Sequence, residues 1–289
     1  MTNRITTAVF PVGGLGTRFL PVTKSMPKEM LPVVDKPLIQ YAFEEAKAAG
    51  IEKFVFITGR NKNIISNHFD HAYELQKVLS DTEKARLLSL TRDWLPNAGN
   101  IAFIRQQEPL GLGHAIYCAR NFVNGPFAVL LADEMFLGKK SPLQEMMEIY
   151  DKKGGNVIGV ADVAKEHASR YGIIDPGKEE DNVISINGMV EKPSIEKAPS
   201  NISMVGRYIL QPEIFGYLEN GERGKNNEIQ LTDTLSTMIK NVPSHAVRLS
   251  ARRFDCGNRR GFLEANIAFA LENEEIREDV INIIKSFVS

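Results

Sequence analysis

The stretch Thr7-Ala-Val-Phe-Pro-Val12, which runs directly into Gly13-Gly-Leu-Gly-Thr-Arg18, decides the fold of this chain. Its first six residues are mostly apolar, and a short continuous run of this kind predicts a strand that is buried on both faces. The glycines predict a tight loop whose backbone N–H groups can converge on an anion. Arg18 in the loop and Lys28 in Pro27-Lys-Glu-Met30 add charge that a backbone lacks. The pattern predicts a phosphate site at the end of a first strand.

Two better-known phosphate loops do not match this one. A dinucleotide-binding loop has the spacing G-x-G-x-x-G, but counting from Gly14 the third glycine would stand at Phe19. A P-loop has the spacing G-x-x-x-x-G-K-[ST], and Gly224-Lys-Asn226 has Glu219 as its first position and no Ser or Thr after the lysine. The glycine loop therefore fits neither NAD binding nor γ-phosphate hydrolysis well, and it indicates another kind of nucleotide site.

Length and composition are ordinary for a globular protein. The chain has 289 residues, of which 35 are basic and 36 acidic, and a net charge of −1 argues against nucleic acid or a membrane as partner. The longest apolar runs, such as 127–132, are too short to cross a bilayer. Two cysteines, Cys118 and Cys256, form no disulfide framework, and this usage is typical of a reducing cytoplasm. We therefore expect a cytoplasmic protein.

Strand and helix patterns alternate along the first part of the chain. Strands are predicted at 7–12, 53–58, 101–104, 127–132 and 157–161, and helices at 38–49, 64–69, 82–94, 112–120 and from Ser141-Pro142 to 153. The helix at 82–94 is predicted from the capping-box spacing of Ser80 and Glu83. Alternation of this kind predicts a Rossmann-like α/β fold with a mixed, mostly parallel sheet flanked by helices.

The pattern changes after about residue 170. Strand-like segments at 173–174, 183–190 and 204–210 predict a small antiparallel β insertion, and helices return at 232–240, 261–271 and 276–288. Ligands bind such folds at the carboxyl ends of the parallel strands. We expect one domain over 1–289, with its site formed by the loop at 13–18, the residues after the strand at 127–132 and the turn at 111–113.

Two acidic residues are candidate metal ligands. Asp133 follows a buried strand, and Mg²⁺ typically takes one or two carboxylates together with substrate phosphates. Asp255, in Phe254-Asp-Cys-Gly257, stands in a glycine turn and could share the same ion. The alternative for both is a structural role, since Asp is common in turns and at strand ends.

The turn at 106–114 combines an amide with glycines. The amide of Gln106 and the backbone at Gly111 could pair with the edge of a pyrimidine. The alternative is helix capping by a glycine-rich turn, and a cap of the helix is also the simple interpretation of His114.

Glu191 and Lys192 close another predicted strand just before Pro193. A carboxylate suits sugar hydroxyls, and an ammonium suits a phosphate. The alternative is an exposed surface pair, because adjacent strand residues point to opposite faces unless the strand bends.

The combination and order of these motifs resemble the sugar-phosphate nucleotidyltransferases, and among them the bacterial enzymes that act on UTP and glucose 1-phosphate. The stretches that carry the resemblance run from one end of the chain to the other: 10–21, 27–37, 109–115, 130–133, 190–193, 228–233 and 255–257. Two departures stand out, since Gly13 replaces a common Ala and Glu134 replaces a frequent second Asp. The chain keeps Arg18, Lys28 and Asp133, which favours an active enzyme over non-catalytic relatives.

The resemblance implies a role for each motif. It implies that residues 1–170 hold mainly the nucleotide, that 171–260 hold mainly the sugar phosphate, and that 261–289 are C-terminal helices. The implied nucleotide-binding residues are Gly13, Gly14, Gly16, Thr17, Arg18, Lys28, Glu29, Gln106 and Gly111. Those implied for the sugar phosphate are Gly172, Glu191 and Lys192, those for Mg²⁺ are Asp133 and Asp255, and the catalytic set is Arg18, Lys28, Asp133 and Lys192.

The expected reaction converts UTP and glucose 1-phosphate to UDP-glucose and pyrophosphate, with Mg²⁺ as cofactor and a homodimer or homotetramer as the assembly. Three alternatives stay open. They are a thymidylyltransferase or other sugar nucleotidyltransferase, a non-catalytic paralogue that binds nucleotide, and an NAD-linked Rossmann protein.

Overall fold

The computed structural model describes residues 4–221, 223–224 and 227–288. The strands in these ranges are β1 (Thr7–Val12), β2 (Pro32–Val33), β3 (Lys36–Pro37), β4 (Lys53–Thr58), β5 (Ile101–Arg105), β6 (Phe127–Leu130), β7 (Glu134–Leu137), β8 (Asn156–Asp162), β9 (Gly172–Glu180), β10 (Val183–Glu191), β11 (Ile202–Leu210), β12 (Ser244–Arg248) and β13 (Arg252–Asp255). The α-helices are α1 (Leu38–Ala48), α2 (Asn63–His68), α3 (Tyr73–Asp81), α4 (Ala85–Arg92), α5 (Leu112–Tyr117), α6 (Pro142–Lys153), α7 (Ile214–Glu219), α8 (Leu231–Met238), α9 (Arg259–Glu272) and α10 (Arg277–Val288).

A nine-stranded mixed sheet in the order β5-β4-β1-β6-β11-β8-β12-β10-β9 forms the centre of the molecule. The first four strands of this order are parallel, with Val9 of β1 opposite Val55 of β4 and Val129 of β6. The other pairs are antiparallel except β8 with β12. Two small antiparallel sheets, β7 with β13 and β2 with β3, lie outside this sheet.

Strand β1 is buried on both faces because its apolar side chains alternate between two cores. Val9 packs into a core that contains residues of α5, α7 and α8, whereas Phe10 packs into a second core that contains residues of α1, α2 and α6. The rings of Phe10 and Phe56 stack at 4.6 Å. Since the chain leaves β1 toward β4 and later returns to place β6 on its other side, the carboxyl ends of β1 and β6 flank the point where the topology reverses.

The predicted fold class is confirmed, and the structure refines two of its parts. Strands β9 and β10 continue the central sheet instead of forming a separate insertion, and parallel pairing is concentrated in its β5-β4-β1-β6 half. Within the described residues, no helix is long and apolar enough to span a membrane.

The predicted helix at 82–94 is wrong at its start. Ser80 does not begin a helix, because it lies inside α3, whose end is closed by a hydrogen bond from Thr82 Oγ1 to the Val78 carbonyl at 2.8 Å. Glu83 has a φ of 56°, so it separates α3 from α4 and cannot be the third residue of a helix. In contrast, Ser141 does cap α6, where its side chain accepts from the backbone N–H of Gln144.

Arg207 of β11 fixes the turn between β6 and β7. It is 1% exposed, and its guanidinium forms a fork with Glu45 of α1, with Nη2 to Oε2 at 2.8 Å and Nε to Oε1 at 3.1 Å. It also donates to the carbonyls of Leu131 and Glu134 at 2.8 and 2.9 Å. These two carbonyls bracket Asp133, so the buried guanidinium holds the turn that carries this residue.

We predict that Arg207→Met lowers the free energy of unfolding by about 3–5 kcal/mol, because the Glu45 carboxylate then stays buried without its partner. Urea denaturation followed by circular dichroism measures this change. The double variant Arg207→Met with Glu45→Gln removes the unpaired charge and is expected to recover part of the loss. A single variant as stable as the wild type would contradict this account of the turn.

Candidate active site

The glycine loop begins where β1 ends and folds back over the adjacent strand ends. Gly16 has a φ of 66°, which favours glycine, and its carbonyl accepts from Thr23 Oγ1 at 2.7 Å. Gly14, Thr17 and Arg18 are exposed, and Arg18 Nη1 lies 3.4 Å from the Gly257 carbonyl. The loop therefore presents backbone and a guanidinium to solvent at the edge where β1 and β6 end.

Lys28 and Asp133 meet at this edge. The Lys28 Nζ lies 2.5 Å from Asp133 Oδ2, and both side chains are about one-fifth exposed, at 23% and 21%. Burial disfavours the ammonium, but the charges of Asp133 and Glu29 outweigh it and raise the pKa of Lys28. Burial likewise disfavours the carboxylate, but Lys28 outweighs it and lowers the pKa of Asp133. The two motifs that the sequence singled out thus form one ion pair.

A second, deeper ion pair lies behind Lys28. Glu29 Oε2 accepts from Lys62 Nζ at 2.7 Å, and the two side chains are 2% and 7% exposed. Burial raises the pKa of Glu29, with Lys62 and Lys28 opposing it. Glu29 is implied by the resemblance to contact nucleotide, but its buried carboxylate is occupied by Lys62. This placement fits a role in which Glu29 supports Lys28 better than one in which its carboxylate contacts the nucleotide.

Asp133 and Asp255 converge on Gly257. A Cβ atom built on this glycine would lie 3.0 Å from Asp133 Oδ2, 3.0 Å from Asp255 Oδ1 and 3.7 Å from Arg18 Nη1. The absence of a side chain at Gly257 therefore leaves a small acidic cradle beside the glycine loop. In the described ranges, no cluster of three or more His, Cys, Asp or Glu side chains suited to a metal is present. Two carboxylates match the one or two that Mg²⁺ typically takes together with substrate phosphates.

Tyr171 holds Asp255 in place. Its hydroxyl donates to Asp255 Oδ2 at 2.6 Å, while the backbone N–H of Gly257 donates to Oδ1 at 2.9 Å. Burial and this hydrogen bond raise the pKa of Tyr171 to about 12, so it is a donor at neutral pH. Arg253 lies 4.6 Å from the centre of the Tyr171 ring and forms a fork with Glu134, both bonds being 2.6 Å. The Glu134 carboxylate therefore binds Arg253 and is not part of the acidic cradle.

Gln106 and the turn at 111 lie next to the start of the glycine loop. A Cβ atom on Gly13 would lie 3.0 Å from Gln106 Oε1, so this position has no space for a larger side chain without a shift. Gly111 has a φ of 96°, and a Cβ there would come within 2.8 Å of Glu228 Cβ. Its carbonyl accepts from Gln106 Nε2 at 3.1 Å. The structure thus brings Gln106 and Gly111, which are predicted from the sequence to contact a pyrimidine, together with Gly13 of the glycine loop.

The residues expected for the sugar phosphate line one cavity of about 240 Å³. Gly172, Glu191 and Lys192 lie on it together with Thr232, whose hydroxyl donates to Glu191 Oε2 at 2.6 Å. Lys192 has a φ of 45°, and this bend at the end of β10 brings its Nζ within 2.8 Å of Glu191 Oε1. The pair is therefore not split between opposite faces of a strand.

Three clusters result, the first around Gln106, the second around Lys28 and Asp133, and the third around Glu191. Tyr171 joins the last two, since it lines the cavity at Glu191 and binds Asp255. Sequence reasoning assigned no role to Tyr171, Thr232 or Lys62. Thr232 lies within the stretch 228–233 that carries the resemblance, and Tyr171 directly precedes Gly172, but no local pattern predicts the distant carboxylates to which the two hydroxyls donate.

Comparison with known proteins places this site in context. The family model described as nucleotidyl transferase matches residues 7–272. A curated UTP–glucose-1-phosphate uridylyltransferase of Staphylococcus haemolyticus is 45% identical over 284 residues, which cover 98% of each chain.

Two solved structures with bound nucleotides are also similar. A UDP-glucose pyrophosphorylase complexed with UDP-glucose has 42% identity and a TM-score of 0.85 over 93% of this chain and 100% of that one. A UTP-bound UGPase from Acinetobacter baumannii has 38% identity and a TM-score of 0.89 over 97% of this chain and 99% of that one. With a family model that matches nearly its whole length and relatives of this identity, the chain belongs to the nucleotidyl transferase family, in the group of the UTP–glucose-1-phosphate uridylyltransferases.

Proposed function

We propose that this chain transfers the uridylyl group of UTP to glucose 1-phosphate and releases pyrophosphate, giving UDP-glucose. The observation that carries the proposal is the 2.5 Å ion pair between Lys28 and Asp133, because a cation suited to phosphate and a carboxylate suited to a metal lie together beside the glycine loop. The names of the full-length relatives support the same activity.

The nucleotide lies along the ends of β1 and β5 in this proposal. Gln106, Gly13 and Gly111 face the uracil, while Gly14, Gly16 and Thr17 offer backbone and side-chain donors to ribose and phosphates. Arg18 and Lys28 balance the charge of the triphosphate. Residues 1–170 thus hold mainly the nucleotide.

The sugar phosphate occupies the cavity at the start of β9 and the end of β10. The Glu191 carboxylate, oriented by Thr232, accepts hydrogen bonds from sugar hydroxyls, and Gly172 lines the same cavity. Lys192 is 38% exposed and is available to the phosphate. Residues 171–260 thus hold mainly the second substrate.

The reaction is an in-line displacement at the α-phosphorus of UTP. A phosphate oxygen of glucose 1-phosphate attacks, the bond to the β-phosphate breaks, and pyrophosphate leaves with the electron pair. Because the attacking oxygen is already an anion, the site needs no general base. Its task is to bring two anions together, and Arg18, Lys28 and Lys192 do so by orienting the phosphates and offsetting their charge.

Asp133 and Asp255 would hold Mg²⁺, and the ion when bound supplies positive charge at the phosphate oxygens. Arg207 and Tyr171 keep the two carboxylates in position, through the turn at 131–134 and through a direct hydrogen bond. Glu134 is not among the proposed Mg²⁺ ligands, because the Arg253 guanidinium donates to both of its carboxylate oxygens.

Pyrophosphate release from a panel of nucleoside triphosphates and sugar 1-phosphates, with and without Mg²⁺, tests the function directly. We expect rapid release only with UTP, glucose 1-phosphate and Mg²⁺ together. Higher kcat/KM with dTTP than with UTP would show a thymidylyltransferase. UTP binding without pyrophosphate release would show a non-catalytic paralogue, and NAD(H) binding would favour the dinucleotide alternative.

Lys28→Ala is predicted to lower kcat/KM for UTP about a hundredfold or more, because it removes a charge that acts on the phosphates in the transition state. Lys77→Ala is the matched control, since Lys77 pairs with Asp81 on the surface of α3. Circular dichroism checks that both variants fold. Unchanged turnover of the folded Lys28→Ala variant would overturn the role given to Lys28.

Tyr171→Phe is predicted to raise the Mg²⁺ concentration needed for half-maximal activity about tenfold, because Asp255 loses the donor that orients it. Activity at saturating Mg²⁺ is expected to stay near that of the wild type. Tyr117→Phe is the control, since the Tyr117 hydroxyl makes a similar bond to Glu219 at 3.0 Å outside the site. An equal effect of both substitutions, or none from Tyr171→Phe, would contradict this assignment.

A further inference from the structure

The amide group of Gln106 is held by two hydrogen-bond acceptors. Its Nε2 lies 3.1 Å from the carbonyl oxygen of Gly111 and 3.0 Å from Nδ1 of His114. Its backbone N–H also donates to the Thr58 carbonyl at 2.8 Å, so the residue is fixed at both ends. Gln106 is buried, whereas His114 is only half-buried and lines a separate surface cavity of about 250 Å³.

The chemistry of these partners determines which end of the amide faces them. A carbonyl oxygen can only accept, so the amide atom beside Gly111 has to be the nitrogen. The second hydrogen of this nitrogen points to His114, whose Nδ1 therefore accepts, as it does in the neutral ring that carries its proton on Nε2. Burial lowers the pKa of His114. The charge of Glu108 opposes this effect, and those of Arg120 and Arg223 reinforce it.

This orientation turns the Gln106 carbonyl toward the glycine loop. A Cβ on Gly13 would lie 3.0 Å from Gln106 Oε1, and the hydrogen bonds of the described amide use its nitrogen and leave Oε1 as an acceptor. Uracil presents an N3–H donor between two carbonyls, whereas cytosine presents an N3 lone pair and an N4 amino group. An acceptor fixed at this point matches the N3–H of uracil and repels the N3 of cytosine.

We propose that His114 is a positioning residue that fixes the orientation of the Gln106 amide and thereby makes the site prefer uracil to cytosine. This inference rests on the proposed function, in which Gln106 faces the base. Without His114, the Gly111 carbonyl still favours the same orientation, but one of the two bonds that resist rotation of the amide is lost. The preference therefore weakens without disappearing.

His114→Leu and His114→Asn separate orientation from packing. Leucine fills a similar space but offers no acceptor, whereas the Oδ1 of asparagine can replace Nδ1. For wild type and variants, KM and kcat are measured with UTP, and CTP is titrated as a competitive inhibitor to give its Ki. His71→Leu is the matched control, because His71 Nδ1 contacts Gln76 Oε1 at 3.3 Å in another His–Gln pair on the surface.

For His114→Leu we expect the ratio of the CTP Ki to the UTP KM to fall about tenfold, the equivalent of one lost hydrogen bond, with kcat nearly unchanged. His114→Asn and His71→Leu are expected to keep the wild-type ratio. An unchanged ratio in His114→Leu, or a ratio that His114→Asn fails to keep, would overturn the role of His114. Wild-type turnover of UTP tests the proposed function separately. If the wild type shows no turnover, the dissociation constants of CMP and UMP are measured by calorimetry on the same variants, and their ratio replaces the kinetic one.

Discussion

The ion pair between Lys28 and Asp133 is the contact on which the geometry of the site depends. It exists because β1 and β6 are parallel neighbours that end at the same edge of the sheet, so the segments after them meet. Lys28 comes from the chain after β1, and Asp133 comes from the turn after β6. The buried Arg207 binds the carbonyls on either side of Asp133 and to that extent fixes one half of the pair.

Other charged side chains of the site also have an oppositely charged partner. Glu29 with Lys62 lies behind Lys28, and Glu134 with Arg253 lies behind Asp255. Moving a single charge out of water is costly, whereas a well-formed pair with additional hydrogen bonds offsets much of that cost. The supporting pairs are more deeply buried than the groups they support. Charge is thus compensated in the interior, behind the less buried Lys28 and Asp133.

Sequence alone predicts the parts of the fold and site that depend on local pattern. The run at 7–12 predicts β1, and the glycines that follow it predict the loop, because burial and backbone freedom are local properties. Asp133 can be selected because it follows a buried strand. The predicted helix start at Ser80 fails because the preceding segment, 73–81, forms a helix of its own.

The parts of the site that the sequence does not predict are long-range contacts. The bonds from Tyr171 to Asp255, from Lys62 to Glu29 and from Thr232 to Glu191 join residues that only the folded sheet brings together. His114 differs, since it lies close to Gln106 in the chain, but its role depends on the direction in which an amide points. Spacing in a sequence carries no information about that direction.

The same ion pair sets a condition on nucleotide binding. In the structure, the Lys28 ammonium is engaged by Asp133, so a triphosphate that binds Lys28 has to compete with a carboxylate only 2.5 Å away. The gain from that contact is therefore smaller than for a free ammonium. A divalent ion at Asp133 and Asp255 would engage the carboxylate and remove the competition. Metal and nucleotide are then expected to strengthen each other's binding by the same factor, because coupling between two ligands is reciprocal.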